Sequence, residues 1–124
     1  MQTAGPRVAI VEDDSFVRKS LARLLTLSSF EIATYGSAQE FIGSLDAQQP
    51  ECLIVDLHMP EISGLDLQKY LSSSGIRIPT IVITAFNEPG VRERCRASGA
   101  TAFLLKPVNA ATLIAAVNTA INAA

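Results

Sequence analysis

A small set of acidic, hydroxyl and basic side chains ends or follows short apolar runs of the chain. Its members are Glu12, Asp13, Asp56, Thr84 and Lys106. Carboxylates that are packed together repel one another unless a cation lies among them. Oxygen ligands in a water-accessible cleft suit magnesium, which keeps several waters and takes one or two carboxylates. If these segments meet, metal and lysine could neutralise phosphoryl oxygens, the threonine could donate a hydrogen bond, and a carboxylate could attack phosphorus.

The elements that must position these side chains alternate along the chain. Runs rich in β-branched and other apolar residues predict strands at residues 7–11, 30–35, 52–55, 79–84 and 102–105. Helical spacing of apolar residues follows each run, as in Leu113, Val117 and Ile121 of the last helix. The fourth helix, over about residues 89–98, has a thin apolar face, and Gly99 suits the position just after its end.

Five successive βα units imply an α/β fold with a parallel sheet and helices on both faces. Periodicity alone leaves open which of the doubly wound strand orders applies. Ligands of such folds bind beyond the carboxyl ends of the strands. The reactive side chains would lie at that edge.

Length and composition restrict the classes of protein. The chain has 124 residues, which suits one domain, so we predict a single domain over residues 1–124. A hydrophobic content of 48% favours a folded core, and a net charge of −2 provides no basic footprint for nucleic acid. There is no apolar run of membrane-spanning length and no secretory signal. We therefore expect a cytoplasmic protein in which Cys52 and Cys95 are reduced thiols.

Four motifs stand at the predicted strand ends: Val11-Glu12-Asp13-Asp14, Asp56-Leu57-His58-Met59-Pro60 with Ser63-Gly64, Ile83-Thr84-Ala85, and Leu105-Lys106-Pro107. Together they resemble the receiver domain of bacterial two-component response regulators, and within that family the nitrogen-fixation regulator type. The resemblance covers about residues 6–122. It implies a flavodoxin-like (βα)5 sandwich with strand order 2-1-3-4-5.

The resemblance also implies a phosphoacceptor and a Mg²⁺ site. Asp56 would accept a phosphoryl group from a sensor histidine kinase or a histidine phosphotransfer protein. Asp13, Asp56 and the backbone carbonyl of His58 would bind Mg²⁺ directly, and Glu12 would bind it through water. The chain would then be a signalling domain rather than an enzyme, capable only of self-catalysed phosphotransfer and dephosphorylation.

Further residues would contact the phosphoryl group and transmit its presence. Thr84 and Lys106 would contact phosphoryl oxygens, and the small Ala85 would leave the approach to them open. Thr84 would move toward the phosphoryl group and Phe103 would fill the vacated space, although Phe103 also suits a plain core position. The peptide bond before Pro107 would be cis. This switch would remodel the face formed by the fourth helix, the fifth strand and the last helix, which would control an output domain or a downstream protein and could support a homodimer.

Two side chains beside the expected site are interpreted as setting the rate at which it loses the phosphoryl group. His58 lies two positions after Asp56, and Phe86 lies two positions after Thr84. Both would stand near the path of the water that attacks phosphoryl-aspartate. We therefore predict that they set the lifetime of the phosphorylated state.

Other interpretations share part of the pattern. A flavodoxin-type cofactor binder would have a Ser-, Thr- or Gly-rich loop after the first strand, where three consecutive acids would repel phosphate. An aspartyl-phosphate phosphatase would carry a second aspartate two positions after the first, where this chain has His58. Asp13 and Asp14 could merely cap the first helix. A receiver that binds partners without phosphorylation would not need the complete set of acceptor-site residues.

Overall fold

The computed structural model describes residues 5–47 and 49–123, in which five strands alternate with five helices. The strands are β1 (Arg7–Val11), β2 (Glu31–Tyr35), β3 (Cys52–Asp56), β4 (Thr80–Thr84) and β5 (Ala100–Leu105). The helices are α1 (Ser15–Thr26), α2 (Ala38–Ser44), α3 (Gly64–Ser73), α4 (Val91–Ala97) and α5 (Ala110–Ala123). The two ends of the single domain expected over residues 1–124 lie outside the described residues. None of the helices in these ranges is both long and apolar enough to cross a membrane.

All five strands are parallel and follow the order β2-β1-β3-β4-β5. The α/β class and the strand order expected from the resemblance are both confirmed. The order reverses between β1 and β3, which are hydrogen-bonded neighbours with Val11 paired to Val55. Glu12 and Asp56, one residue further along each strand, therefore come side by side at the carboxyl edge of the sheet.

Alternating side chains of the strands fill two separate cores, one on each face of the sheet. On β1, Ala9 and Val11 join the cluster on one face, and Val8 and Ile10 join the cluster on the other. Helices α2, α3 and α4 cover the first face, whereas α1 and α5 cover the second. Every residue of β3 is buried, which agrees with its unbroken apolar sequence and its place in the centre of the sheet.

Side-chain caps fix where several helices begin. The Asp14 side chain accepts hydrogen bonds from two backbone N–H groups of α1, and Ser37 caps α2 in the same manner. Ser63 and Asp66 form a reciprocal capping box at the start of α3. These caps set the loops between the strand ends and the helices, and so set the entrance of the site.

Two elements begin two residues away from their predicted starts, and the other differences are of one residue. Helix α4 begins at Val91 rather than near residue 89, because Gly90 takes a left-handed φ of 78° that is not helical. Strand β5 begins at Ala100 rather than at residue 102, because Ala100 pairs with Thr80 of β4 ahead of a shift in register between Thr80 and Ile81. Gly99 has a φ of +102°, a conformation that favours glycine just after a helix.

Candidate functional site

Three carboxylates gather at the carboxyl edge of β1 and β3. Glu12, Asp13 and Asp56 each offer one oxygen, and these oxygens lie within 4.8 Å of one another. Glu12 and Asp56 are buried, with 0% and 5% of their surface exposed, whereas Asp13 is exposed. This separation is short enough for one divalent ion to join acids from two distant segments. The donor set, made only of oxygens, fits a hard cation such as Mg²⁺.

The loop that carries these acids is held by its own hydrogen bonds. The backbone N–H of Glu12 donates to the carbonyl of Tyr35 at 3.1 Å, and that of Asp14 donates to the Glu12 carboxylate at 3.2 Å. The Asp14 carboxylate caps α1 by accepting hydrogen bonds from the backbone N–H groups of Phe16 and Val17. Asp14 thus serves the helix, while Asp13 is left for the acid cluster.

Lys106 brings the positive charge into the same site. Its Nζ lies 2.8 Å from Glu12 Oε1 and 3.5 Å from Asp56 Oδ1. Its backbone N–H donates to the carbonyl of Thr84 at 2.7 Å, which ties the end of β5 to the end of β4. The peptide bond from Lys106 to Pro107 is cis. Burial alone would lower the pKa of Lys106, but its hydrogen bond to Glu12 and the charges of Asp56 and Glu12 outweigh burial and raise that pKa.

Glu12 is the acid whose ionisation is most disfavoured. Burial raises its pKa from 4.5 to about 7, and the charge of Asp56 adds to this effect. The hydrogen bonds from Lys106 and from the backbone of Asp14 act in the opposite direction without cancelling it. Near neutral pH Glu12 of the metal-free cluster therefore holds a proton part of the time, and a divalent cation would compete with that proton.

Thr84 ends β4 next to the acceptor strand and is fully buried. Its Oγ1 accepts a hydrogen bond from the backbone of Phe86 at 3.2 Å, and the intervening Ala85 is exposed. Strands β3 and β4 pair Asp56 with Ile83, so Thr84 lies one residue beyond the register partner of Asp56. The sheet therefore places Thr84 and Asp56 at the same edge.

The structure brings His58 and Phe86 into contact beside Asp56. Their rings meet edge to face with centroids 5.3 Å apart, and the backbone N–H of His58 donates to Asp56 Oδ1 at 3.4 Å. His58 Nε2 also lies 3.3 Å from Glu88 Oε1. Glu88 was not anticipated from the sequence, because loop residues follow no period that would place them opposite one another. These three side chains bridge the loop after β3 and the loop after β4.

Phe103 lies away from the acids, in the middle of β5. It is partly buried against the cluster under α2, α3 and α4, and the guanidinium of Arg92 lies 5.2 Å from its ring centre. Phe103 pairs with Val82, and Thr84 pairs with Leu105. Since paired residues share a face and the period of a strand is two, Phe103 and Thr84 are diagonal neighbours on one face of the sheet.

One cavity of the described part of the chain lies away from this site. It measures about 710 Å³ and lies between the end of α3 and the start of β4, with Gln68, Arg77 and Gly99 among the residues that line it. That position is at the opposite edge of the sheet from the carboxylates. The site at the carboxyl edge brings together carboxylates and a lysine, and the residues that line this cavity include neither.

Known proteins share both the sequence and the fold of this chain. The family model of the response regulator receiver domain matches residues 8–118. Transcriptional regulatory protein FixJ of Rhizobium meliloti is 35% identical over 113 residues, which cover 91% of this chain and 55% of that protein. Transcriptional regulatory protein PdtaR of Mycobacterium tuberculosis is 35% identical over 117 residues, which cover 94% of this chain and 57% of that protein.

Solved structures agree with these relatives. The crystal structure of FixJ-N is 34% identical with a TM-score of 0.88, and the match covers 98% of this chain and 96% of that one. A response regulator receiver protein from Burkholderia phymatum is 38% identical with a TM-score of 0.83, and the match covers 94% of this chain and 95% of that one.

The expected resemblance to the nitrogen-fixation regulator type is confirmed by the matches to FixJ. The chain spans little more than half the length of the curated relatives. The family is one of signalling domains, which separates this chain from flavodoxin-type cofactor binders and from aspartyl-phosphate phosphatases. With a family match across residues 8–118 and the fold and acid cluster in place, the chain belongs to the response regulator receiver domain family of two-component systems.

Proposed function

We propose that this domain accepts a phosphoryl group on Asp56 from a phosphohistidine of a sensor histidine kinase or histidine phosphotransfer protein. The observation that carries the proposal is the gathering of Glu12, Asp13, Asp56 and Lys106 at one edge of a parallel sheet. Asp56 is the member that ends a central strand, and 5% of its surface is exposed. The sheet therefore fixes its backbone at the edge where the other charged groups gather.

In the proposed transfer, an oxygen of the Asp56 carboxylate attacks phosphorus and forms a new P–O bond. The P–N bond to the donor histidine breaks, and that nitrogen keeps the electron pair and takes up a proton. Lys106, now within 3.5 Å of the Asp56 carboxylate, would neutralise an oxygen of the incoming group. Thr84, at the adjacent strand end, would donate a hydrogen bond from its hydroxyl to another phosphoryl oxygen. The small Ala85 would leave room for the phosphoryl oxygens.

Mg²⁺ would supply the charge that offsets both the carboxylates and the phosphoryl oxygens during transfer. The residues that would hold it directly are Asp13, Asp56 and the backbone carbonyl of His58. Glu12 would hold it through water, which agrees with the hydrogen bonds that its two carboxylate oxygens already accept, from Lys106 at 2.8 Å and from the backbone N–H of Asp14 at 3.2 Å. The exposed Asp13 is the carboxylate through which an ion from solvent would enter.

Intact mass spectrometry after incubation with acetyl phosphate and Mg²⁺ tests the acceptor. The expected result is a gain of one phosphoryl group in the wild-type chain and none in Asp56→Asn. Asp46→Asn, which changes an exposed acid between α2 and β3, should gain the group like the wild type. A wild type that gains no phosphoryl group would instead indicate a receiver that binds partners without phosphorylation.

We further propose that phosphorylation switches the face formed by α4, β5 and α5 through Thr84 and Phe103. A phosphoryl group adds negative charge and strong acceptor oxygens, which would draw Thr84 toward Asp56. Two features support a mobile α4: Val91 and Cys95 are the residues it buries, and its N-cap Gly90 makes no side-chain hydrogen bond.

The remodelled face would control an output domain or a downstream protein, and a homodimer through the same face would be one route. Amide spectra with the phosphate mimic beryllofluoride should show changes across residues 85–108. Sedimentation with and without beryllofluoride would report the dimer. Spectra that stay the same across residues 85–108 would refute the switch.

The contact between His58 and Phe86 is proposed to set the lifetime of phosphoryl-aspartate. It bridges two loops at the entrance to Asp56, so its removal should admit water to the phosphoryl group. Phe86→Ala is therefore expected to lose the phosphoryl group faster than the wild type, as measured by intact mass over time. Tyr70→Ala, which removes an exposed aromatic ring from α3, serves as the control. Equal rates in Phe86→Ala and wild type would contradict the role.

A further inference from the structure

Arg18 contacts the acid loop from behind, although no motif in the sequence drew attention to it. Its Nη1 donates to the backbone carbonyl of Glu12 at 2.7 Å and lies 3.4 Å from the carbonyl of Asp13. Its own backbone N–H donates to the carbonyl of Asp14 at 2.9 Å. The last of these is a backbone bond of the first turn of α1, so the Arg18 side chain itself is bonded to two consecutive residues, the two acids of the loop.

The guanidinium also lies near the turn between β2 and α2. A Cβ at Gly36 would lie 3.5 Å from Arg18 Nη1 and 3.5 Å from Glu40 Oε2. The backbone of this turn is held in turn by Glu40, whose Oε1 accepts from the N–H of Gly36 at 3.2 Å. Arg18 is thus partly buried between two loops and does not extend freely into solvent.

Arg18 could affect the affinity of the site for a divalent cation in two opposite ways. Its positive charge, placed near a divalent cation, would oppose binding of that cation. Its hydrogen bonds to the loop carbonyls would favour binding if they hold the Asp13 carboxylate toward Asp56, because groups behind metal ligands orient those ligands. Only the second effect makes removal of Arg18 weaken the affinity for Mg²⁺.

We propose that Arg18 is a positioning residue of the cation site. It fixes the carbonyls of Glu12 and Asp13, and through them it holds the Asp13 carboxylate where it can share an ion with Asp56. The inference rests on the proposed function, since it concerns the same Mg²⁺ site. The hydrogen bonds of the Arg18 guanidinium go to backbone carbonyls and not to the carboxylates of the site, so it would act through the loop.

The test is a titration of the unphosphorylated protein with MgCl₂, followed by the amide signals of residues 12–14 and 56–58. Arg18→Met keeps the aliphatic stem and removes both the charge and the donors. It is expected to raise the Kd for Mg²⁺ by about tenfold, the lower end of the effect of losing a group behind a metal ligand. Lys19→Met removes the same charge from an exposed neighbour on α1, and its Kd should be unchanged or lower.

An Arg18→Met protein that binds Mg²⁺ as tightly as the wild type, or more tightly, would overturn the inference. Urea unfolding midpoints without Mg²⁺ show whether Arg18→Met destabilises the fold. If its midpoint is lower than that of the wild type, the titration is repeated with Arg18→Lys. That variant keeps the charge and loses the planar guanidinium, so its Kd should still rise, and an unchanged Kd would overturn the inference. A wild type without Mg²⁺-dependent shifts would overturn the proposed metal site as well, which separates the two failures.

Discussion

At the scale of single residues, Gly64 allows helix α3 to begin in close contact with the backbone of Asp56. A Cβ at Gly64 would stand 2.6 Å from the carbonyl oxygen of Asp56 and 3.0 Å from Leu57 Cα. The backbone N–H of Gly64 donates to the carbonyl of Leu57 at 2.9 Å. The start of α3 thus packs directly on the backbone that ends β3. The Ser63-Gly64 pair, noticed in the sequence as part of a motif, has this steric reason.

Gly64→Ala should therefore lower both stability and phosphorylation. A methyl group must push α3 away from Asp56, and overpacking of this kind costs about 1–3 kcal/mol of unfolding free energy. Urea denaturation measures the loss, and intact mass after acetyl phosphate measures the slower gain of phosphoryl group. Gly43→Ala is the matched control, because a Cβ at Gly43 in α2 meets nothing within 4 Å. A Gly64→Ala protein as stable as Gly43→Ala would show that the loop can relax.

Glu12 should make the stability of the metal-free protein depend on pH. Its pKa is about 7 in the folded protein and near the ordinary 4.5 in the unfolded chain, so the folded state holds a proton that the unfolded chain has released. Its contribution to the unfolding free energy is complete below pH 4.5 and is lost as the pH rises through about 7.

Glu12→Gln cannot titrate at this position and should lack that contribution to the pH dependence. Urea denaturation of both proteins in EDTA, from about pH 5 to about pH 8, measures the difference in their unfolding free energies. The wild type should lose stability relative to Glu12→Gln as the pH rises. A difference that stays constant would mean that Glu12 titrates normally in the folded protein.

At the scale of elements, a buried amide joins α3 to the end of α4. Gln68 Nε2 donates to the carbonyl of Cys95 at 3.1 Å and to that of Ser98 at 3.4 Å. These carbonyls lie at the end of α4, where that of Cys95 also accepts from the backbone N–H of Ser98 at 3.1 Å. Gln68 Oε1 is buried without a hydrogen-bond partner among the described residues. The amide therefore anchors α4 while leaving one buried acceptor unsatisfied, and such an acceptor costs about 1–3 kcal/mol.

Gln68→Ala should loosen α4 more than it loosens the rest of the fold. Removal of the amide takes away the donor to both carbonyls, although the carbonyl of Cys95 still accepts from the backbone N–H of Ser98 at 3.1 Å. The unfolding free energy should therefore fall by about 0.5–1.5 kcal/mol, the net worth of a typical hydrogen bond. Hydrogen exchange should rise in residues 91–99 before it rises in the strands. Lys69→Ala, an exposed change on the same helix, should leave both measurements near the wild-type values. Unchanged exchange in α4 would mean that Val91 and Cys95 are sufficient to hold it.

At the scale of the whole molecule, the fold was largely predictable because each element carries a strong local signal. The apolar run of residues 52–55 is buried throughout, and the helical spacing of Leu113 and Val117 places both in the core. Helix boundaries were less certain, since the start of α4 depends on the left-handed φ of Gly90 rather than on any periodicity. The strand order came from the resemblance, because apolar patterns do not record which strands are neighbours.

The site was predictable only in part, because the sequence pattern records the ends of strands but not the contacts between loops. Strand ends are fixed by the sheet, so acids at those ends could be expected to meet. Arg18 and Glu88 act through long side chains that cross between loops, and no spacing in the sequence predicts such contacts. The interactions behind the acids therefore became visible only in three dimensions.

The stability of the whole domain should depend on Mg²⁺, since acids from β1 and β3 belong to segments that separate on unfolding. An ion that binds only the folded state raises the unfolding free energy by RT ln(1 + [Mg²⁺]/Kd), which is about 1.4 kcal/mol at ten times Kd. Thermal unfolding in MgCl₂, against NaCl of equal ionic strength, measures the rise as a higher Tm. Asp13→Asn should remove the rise, whereas Asp46→Asn should keep it. An equal Tm in both salts would mean that the carboxylates tolerate one another without a shared ion, with Lys106 supplying enough positive charge by itself.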